Sequence, residues 1–231
     1  MPVMAEADRR SAGWLPGLPG AGLLALVLAA AAVAWAVSGA HPLTRHMGFH
    51  ILLMNAVAPL LVLAVHGRIK FRNVGLLGLA MASATQVASI WLVHAPPLMQ
   101  LAAQNALVHT SMQIVLFAVA FLFWNSIFSL KGAARGYGLI ALLMTGKLFC
   151  LLGALIVFAP RNLYPAAIWE ACLPAASADV MLQDQQLAGL LMLAACPLSY
   201  VAAGIAIAAG WFAELSAETG GRNWRFLPGA K

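Results

Sequence analysis

The chain has 231 residues, 63% of them apolar and only 9% charged, with 13 Lys and Arg against 7 Asp and Glu. A soluble domain carries roughly a quarter charged residues to keep its surface wetted, so this composition, with a mean hydropathy of +0.89, excludes a water-soluble globule. The net charge of +6 is not a sign of nucleic-acid binding, because no basic run with interleaved aromatics accompanies it; it is the surplus that membrane proteins keep in their cytoplasmic loops.

Crossing the hydrocarbon takes about 20 helical residues, because no backbone polar group can be left unpaired there. Six apolar blocks reach that length: 21–38, 46–65, 74–93, 106–130, 138–159 and 187–215. Turn residues separate them, at His41-Pro42, Gly67, Pro96-Pro97, Gly132, Pro160 onward and Gly220-Gly221. The pattern predicts an all-α polytopic membrane bundle of about six transmembrane helices over 21–215, between tails at 1–20 and 216–231.

The first block has a signal-peptide look, with Arg9-Arg10 before it and Ser38-Gly39-Ala40 after it. Its apolar run is long for a signal, and a retained helix is expected. Cys150, Cys172 and Cys196 make no disulfide framework.

Lys and Arg, counted loop by loop, orient the bundle. Arg9, Arg10, Arg68, Lys70, Arg72, Lys131, Arg135, Arg222, Arg225 and Lys231 fall on one side, against Arg45 and Arg161 on the other. That bias predicts both termini inside.

Orientation in turn assigns depth to the histidines. His46 lies at the outer end of the second span and His50 one turn deeper on the same face. His94 closes the third span, His109 lies a turn into the fourth, and Asp184 with Gln185 and Gln186 opens the last, all from the same side. His41 sits in the first outer loop, and only His66 falls at the inner end. Ionisable groups in a span face the bundle interior and mark functional paths. Imidazole is the commonest protein metal ligand, and the spacing of His46 and His50 brings both to one ion. Met47, Met54 and Met112 lie beside these histidines in sequence, and Met192 two turns below Asp184. Thioether with imidazole suits Cu(I) better than a hard cation, although each Met taken alone is also ordinary packing. Imidazole ligands must be unprotonated, so copper affinity is expected to fall as pH drops through about 6.5.

Lys147 falls near the middle of the fifth span, where a charge costs roughly 2.5–3.5 kcal/mol on lenient scales. Three outcomes are open for it, snorkelling, neutrality, or contact with polar groups such as Asn55, Gln86 or Gln113, and a structural or gating role is expected. Pro59 and Pro197 should bend their helices by freeing a backbone carbonyl.

The run from His46-Met47-Gly48-Phe49-His50 to Asn55-Ala56-Val57-Ala58-Pro59 resembles the second span of the CtaG family of membrane cytochrome c oxidase assembly factors. Trp91-Leu92-Val93-His94-Ala95-Pro96, His109 with Phe121-Leu122-Phe123-Trp124, Leu163-Tyr164-Pro165 and Asp184-Gln185-Gln186-Leu187-Ala188-Gly189 extend the likeness in family order over about 41–212. Asn105, Val108 and Leu193 stand where the family commonly has His, Glu and Trp.

The resemblance implies a non-catalytic, multi-pass protein of the plasma (inner) membrane that helps to mature a haem-copper oxidase. It implies copper handling at the outer face, with oxidase subunits or copper chaperones as partners. The metal set expected is His46, His50, His109 and Asp184, with His94 as a further ligand or support and Met47, Met54 and Met112 as soft relays. Two other readings of the same residues stay open. One is an intramembrane zinc hydrolase, which needs a base or nucleophile such as Ser111 or Glu170. The other is a b-type haem protein with His50 and His109 as axial ligands.

Overall fold

The structure, a computed structural model, describes residues 20–37, 41–66, 75–170 and 176–223, with side chains in the last segment described to residue 217. The described chain is helical throughout and contains no strand. It runs α1 Ala21–Ala36, α2 Pro42–Val65, α3 Leu76–Val93, α4 Pro96–Gln104, α5 Ala106–Phe128, α6 Arg135–Val157 behind a 3₁₀ turn at Gly132–Ala134, the one-turn α7 Ala167–Glu170, and α8 Ala178–Asn223.

Five of these helices, α2, α3, α5, α6 with its preceding turn, and α8, are long and apolar enough to cross a membrane. The sixth expected span, α1, is apolar on every side and is described over 16 residues. Large apolar side chains point away from the bundle, among them Leu23, Ile140, Phe158, Leu198 and Ile205. That outward distribution is what lipid as solvent requires. Most of the cations behind the orientation argument, and Cys172, lie outside the described residues, whereas Lys131 and Arg135 lie at the end of the bundle opposite the histidines.

α2 stands at the centre, packed on α1, α5 and α8, while α3 packs on α5 and α6. The closest approach is between α6 and α8. A Cβ on Gly189 would sit 2.9 Å from the Val157 nitrogen and 3.0 Å from the Gly153 carbonyl oxygen, so only glycine lets these two backbones meet. Inside the bundle Phe123, Trp124, Phe149 and Tyr200 form an aromatic core, and Gln86 Nε2 donates to Tyr200 Oη at 2.7 Å.

Pro59 acts as expected, but through a wider turn of helix rather than a simple bend. Residues Leu53–Val57 form a π-helical turn in which Ala58 N–H reaches the Leu53 carbonyl. In that register residue 59 would donate to the Met54 carbonyl, and proline has no N–H to give. Trp124 Nε1 from α5 donates to that carbonyl instead, at 2.9 Å. Pro197 lies inside α8, which continues through it.

Two boundaries and one set of contacts differ from the sequence reading. Pro96-Pro97 opens α4 instead of marking only a turn, because proline needs no partner at the first helical positions. α8 starts at Ala178 and runs past 215 to Asn223. Finally, Lys147 does not meet the polar side chains suggested for it: Gln86 bonds Tyr200, Asn55 bonds Cys196 and Gln113 faces His46.

Candidate metal centre

The first turns of α2 carry His46, Met47 and His50, and their placement begins with how that helix end is held. His41 at its N-cap supplies no side-chain bond. The cap comes from α8. Asp184 Oδ2 accepts from Leu43 N–H and Oδ1 from Thr44 N–H, both at 2.9 Å, and Oδ1 also lies 2.6 Å from the Thr44 hydroxyl. Trp169 Nε1 donates to Oδ2 at 2.8 Å. One carboxylate thereby satisfies the orphan amides of a helix N-terminus and ties it to two other segments. On the opposite side of α2, the Trp35 indole of α1 lies where a Cβ on Gly48 would stand, which fixes how closely α1 lies beside the histidine turns.

His94 enters from the end of α3. Its Nδ1 lies 2.7 Å from the Ile90 carbonyl oxygen. A carbonyl only accepts, so Nδ1 carries the proton and Nε2 presents a lone pair. That lone pair faces Met47 Sδ at 3.1 Å. The His94 carbonyl accepts from Tyr164 Oη at 3.3 Å, and burial pushes the Tyr164 phenol up, keeping it a donor. Leu163 N–H donates to Gln185 Oε1 at 2.8 Å, and Gln185 Nε2 donates to the Ile156 carbonyl at 3.2 Å. The described part of the 161–183 loop is therefore pinned across the histidine end by Asp184 and Gln185.

His46, His50 and His94 converge, offering ligand atoms that lie within 4.8 Å of one another. Ring centroids are 4.9 Å apart for His46 and His50, and 5.1 Å for His50 and His94. Nitrogens around one ion at about 2.0 Å stand roughly 3.3–3.5 Å apart, so a shift of about 1 Å closes the set.

The decisive feature is what these nitrogens lack. His46 Nε2 is buried without a hydrogen-bond partner, and so is a nitrogen of His50, whose ring also lies against the His46 backbone carbonyl one turn back. Buried polar atoms are nearly always partnered, and one lone-pair nitrogen from each neutral ring, turned toward the others, is what a metal would satisfy. The residues present therefore fit a metal ion.

His109 takes a different place from the one expected. It is half-buried, and its Nε2 lies 3.3 Å from His46 Nδ1 rather than among the three converging nitrogens. Gln113, one turn further along α5, puts Nε2 3.3 Å from the same His46 Nδ1 and leaves its Oε1 without a partner. Amide nitrogen and oxygen are interchangeable in shape. With Oε1 turned to His46, Nδ1–H has an acceptor and Nε2 keeps its lone pair for a metal. Such an outer contact can orient a ring that faces an ion.

Asp184 has a structural task in this fold. Both of its oxygens are taken by donors from α2 and Trp169, so it acts as a helix clamp and stands outside the three-histidine group. Met54 is buried at the π turn, and Met112 lines a crevice with Val93, Leu98 and Val108. Asn105 caps α5, its Oδ1 accepting from Leu107 N–H at 2.9 Å. Gln113, suggested by the sequence only as a neighbour of Lys147, was missed as a partner of His46, and its place one turn beyond His109 on the same helix was the available signal. The Met47–His94 pairing had no such signal, because it depends on how two helices are rotated about their axes.

A cavity of about 580 Å³ between α1, α2 and α5, lined by Arg45, His46, Phe49, His109 and Gln113, opens onto the side of the centre.

Fold and site together define a polytopic helical membrane protein with a buried imidazole cluster at one end of its bundle. The chain belongs to the cytochrome c oxidase caa3 assembly factor family (Caa3_CtaG), whose model matches residues 5–214. No curated protein and no solved structure gives a significant match.

Proposed function

We propose that this protein is a non-catalytic, copper-handling assembly factor of cytochrome c oxidase in the plasma (inner) membrane, holding one Cu(I) between His46, His50 and His94 with Met47 Sδ as a thioether ligand. The observation that carries the reading is the set of buried, unpartnered ring nitrogens beside a sulfur. Three imidazoles alone suit zinc as well, and the added thioether favours Cu(I). The centre lies at the outer membrane face, where oxidase subunits or copper chaperones exchange the ion.

The zinc-hydrolase alternative needs a base or nucleophile beside the ion. Ser111 lines the crevice occupied by Met112, and Glu170 is exposed, so neither supports it. A haem between His50 and His109 is disfavoured by His46, whose ring stands 4.9 Å from one and 5.4 Å from the other.

The test is copper, zinc and iron content of detergent-purified protein under reducing conditions, for wild type, His50→Ala and His94→Ala, with X-ray absorption at the metal edge. Near-stoichiometric copper with nitrogen and sulfur neighbours, lost in both variants, is expected. Zinc, haem iron or no metal in the copper-replete wild type would overturn the reading.

A further inference from the structure

Lys147 stands twelve residues after the start of α6 at Arg135 and ten before its end at Val157. At 1.5 Å per residue it lies about 18 Å and about 15 Å of helix from the two ends, in the middle of the hydrocarbon. It is exposed on the outer side of the bundle, and among the described residues it has no ion pair or hydrogen-bond partner. A lysine side chain extends roughly 6 Å, too little to reach either head-group layer from this depth.

Lys147 sits in a groove of about 620 Å³ between α6 and α8, lined also by Leu143, Gly146, Cys150, Tyr200 and Gly204. Leu143 and Ile205 on its rim are exposed.

We infer that this groove docks a transmembrane helix of another protein that carries an Asp or Glu at mid-membrane depth, paired with Lys147. Charge decides the kind of partner. A polar group in lipid is tolerated where an opposite charge meets it, and among the described residues a second copy of this chain has no carboxylate to offer at that level. Of its seven Asp and Glu, Asp184 clamps α2 at the histidine end, and Glu214 pairs with Arg135 at the far end of α6 at 2.8 Å. Glu170 and Asp179 lie at the histidine end, Glu218 falls in the last turns of α8, and Glu6 and Asp8 precede the first apolar block in sequence. The partner is thus a different membrane protein, and the inference does not depend on the metal centre.

The test places a photo-crosslinking amino acid at Leu143 of the full-length chain in native membranes and identifies the adduct by mass spectrometry. The expected adduct is a transmembrane segment with a mid-span Asp or Glu. Lys147→Met should lower its yield at least about tenfold and Lys147→Arg should largely retain it, since removing one member of a desolvated ion pair mainly speeds dissociation. Exchanging the charges, with Lys147→Asp here and Lys in place of the partner's carboxylate, should restore the adduct. Copper content and detergent melting temperature should be unchanged in Lys147→Met, which shows that the fold is intact. Adducts only to lipid, only to a second copy of this chain, or insensitive to Lys147→Met would overturn the inference.

Discussion

The sulfur of Met47 and the Nε2 of His94 lie 3.1 Å apart, both residues buried, with the His94 proton committed to Ile90 on the other side of the ring. No hydrogen stands between them, so two lone pairs face each other at less than van der Waals separation. A soft cation that both can bind removes that repulsion. Met47→Leu should weaken Cu(I) binding about tenfold or more, while zinc binding, which makes little use of a thioether, changes little. Competition against a chromophoric Cu(I) chelator measures it; equal affinity in the variant would remove Met47 from the site.

Asp184→Ala should act on stability, not on metal selectivity. It strands the amides of Leu43 and Thr44, the Thr44 hydroxyl and the Trp169 indole. The expected loss is about 2–3 kcal/mol, from unpaired buried donors and a missing helix cap. The detergent melting temperature should drop while the folded fraction keeps its copper stoichiometry. Copper lost from protein that melts normally would restore Asp184 as a ligand.

His109→Ala and Gln113→Leu should lower affinity roughly 10–100-fold without changing the number of ions bound, as expected for groups that orient a ligand. His50→Ala should abolish binding. The nitrogen count from X-ray absorption should be unchanged in His109→Ala; a loss of one nitrogen would make His109 a ligand.

Gly48→Ala drives a methyl group into the Trp35 indole. Overpacking of this kind costs about 1–3 kcal/mol, and it would push α1 away from the turns bearing His46 and His50. Trp35→Leu in the same chain should recover part of the lost melting temperature. A Gly48→Ala protein as stable as wild type would contradict the packing.

The helices and the clustering of histidines at one end were legible in the sequence because both follow from counting. Twenty apolar residues fix a span, and 1.5 Å per residue fixes how deep His46, His50, His94 and His109 lie. What counting does not supply is rotation about each helix axis, which separates His94, inside the cluster, from His109 beside it. At Asp184 a carboxylate near histidines suggests a ligand, whereas its clamp on α2 rests on two backbone amides, which carry no residue signature, with Thr44 and Trp169 adding side-chain bonds. Asn105 shows the reverse. Placed where the resemblance suggested a missing ligand, it has the ordinary task of capping α5.

The clamp between Asp184 and Thr44 also sets an order of events during biosynthesis. The two residues are 140 positions apart, so the histidine-bearing end of α2 is synthesised and inserted long before the carboxylate that closes it exists. Until α8 enters the membrane, that end keeps unsatisfied amides and the loop bearing Trp169 has nothing to anchor to. A chain halted after α6 holds all three converging histidines yet lacks the brace that fixes them. The stable arrangement of the proposed centre therefore arrives only once α8 is in place.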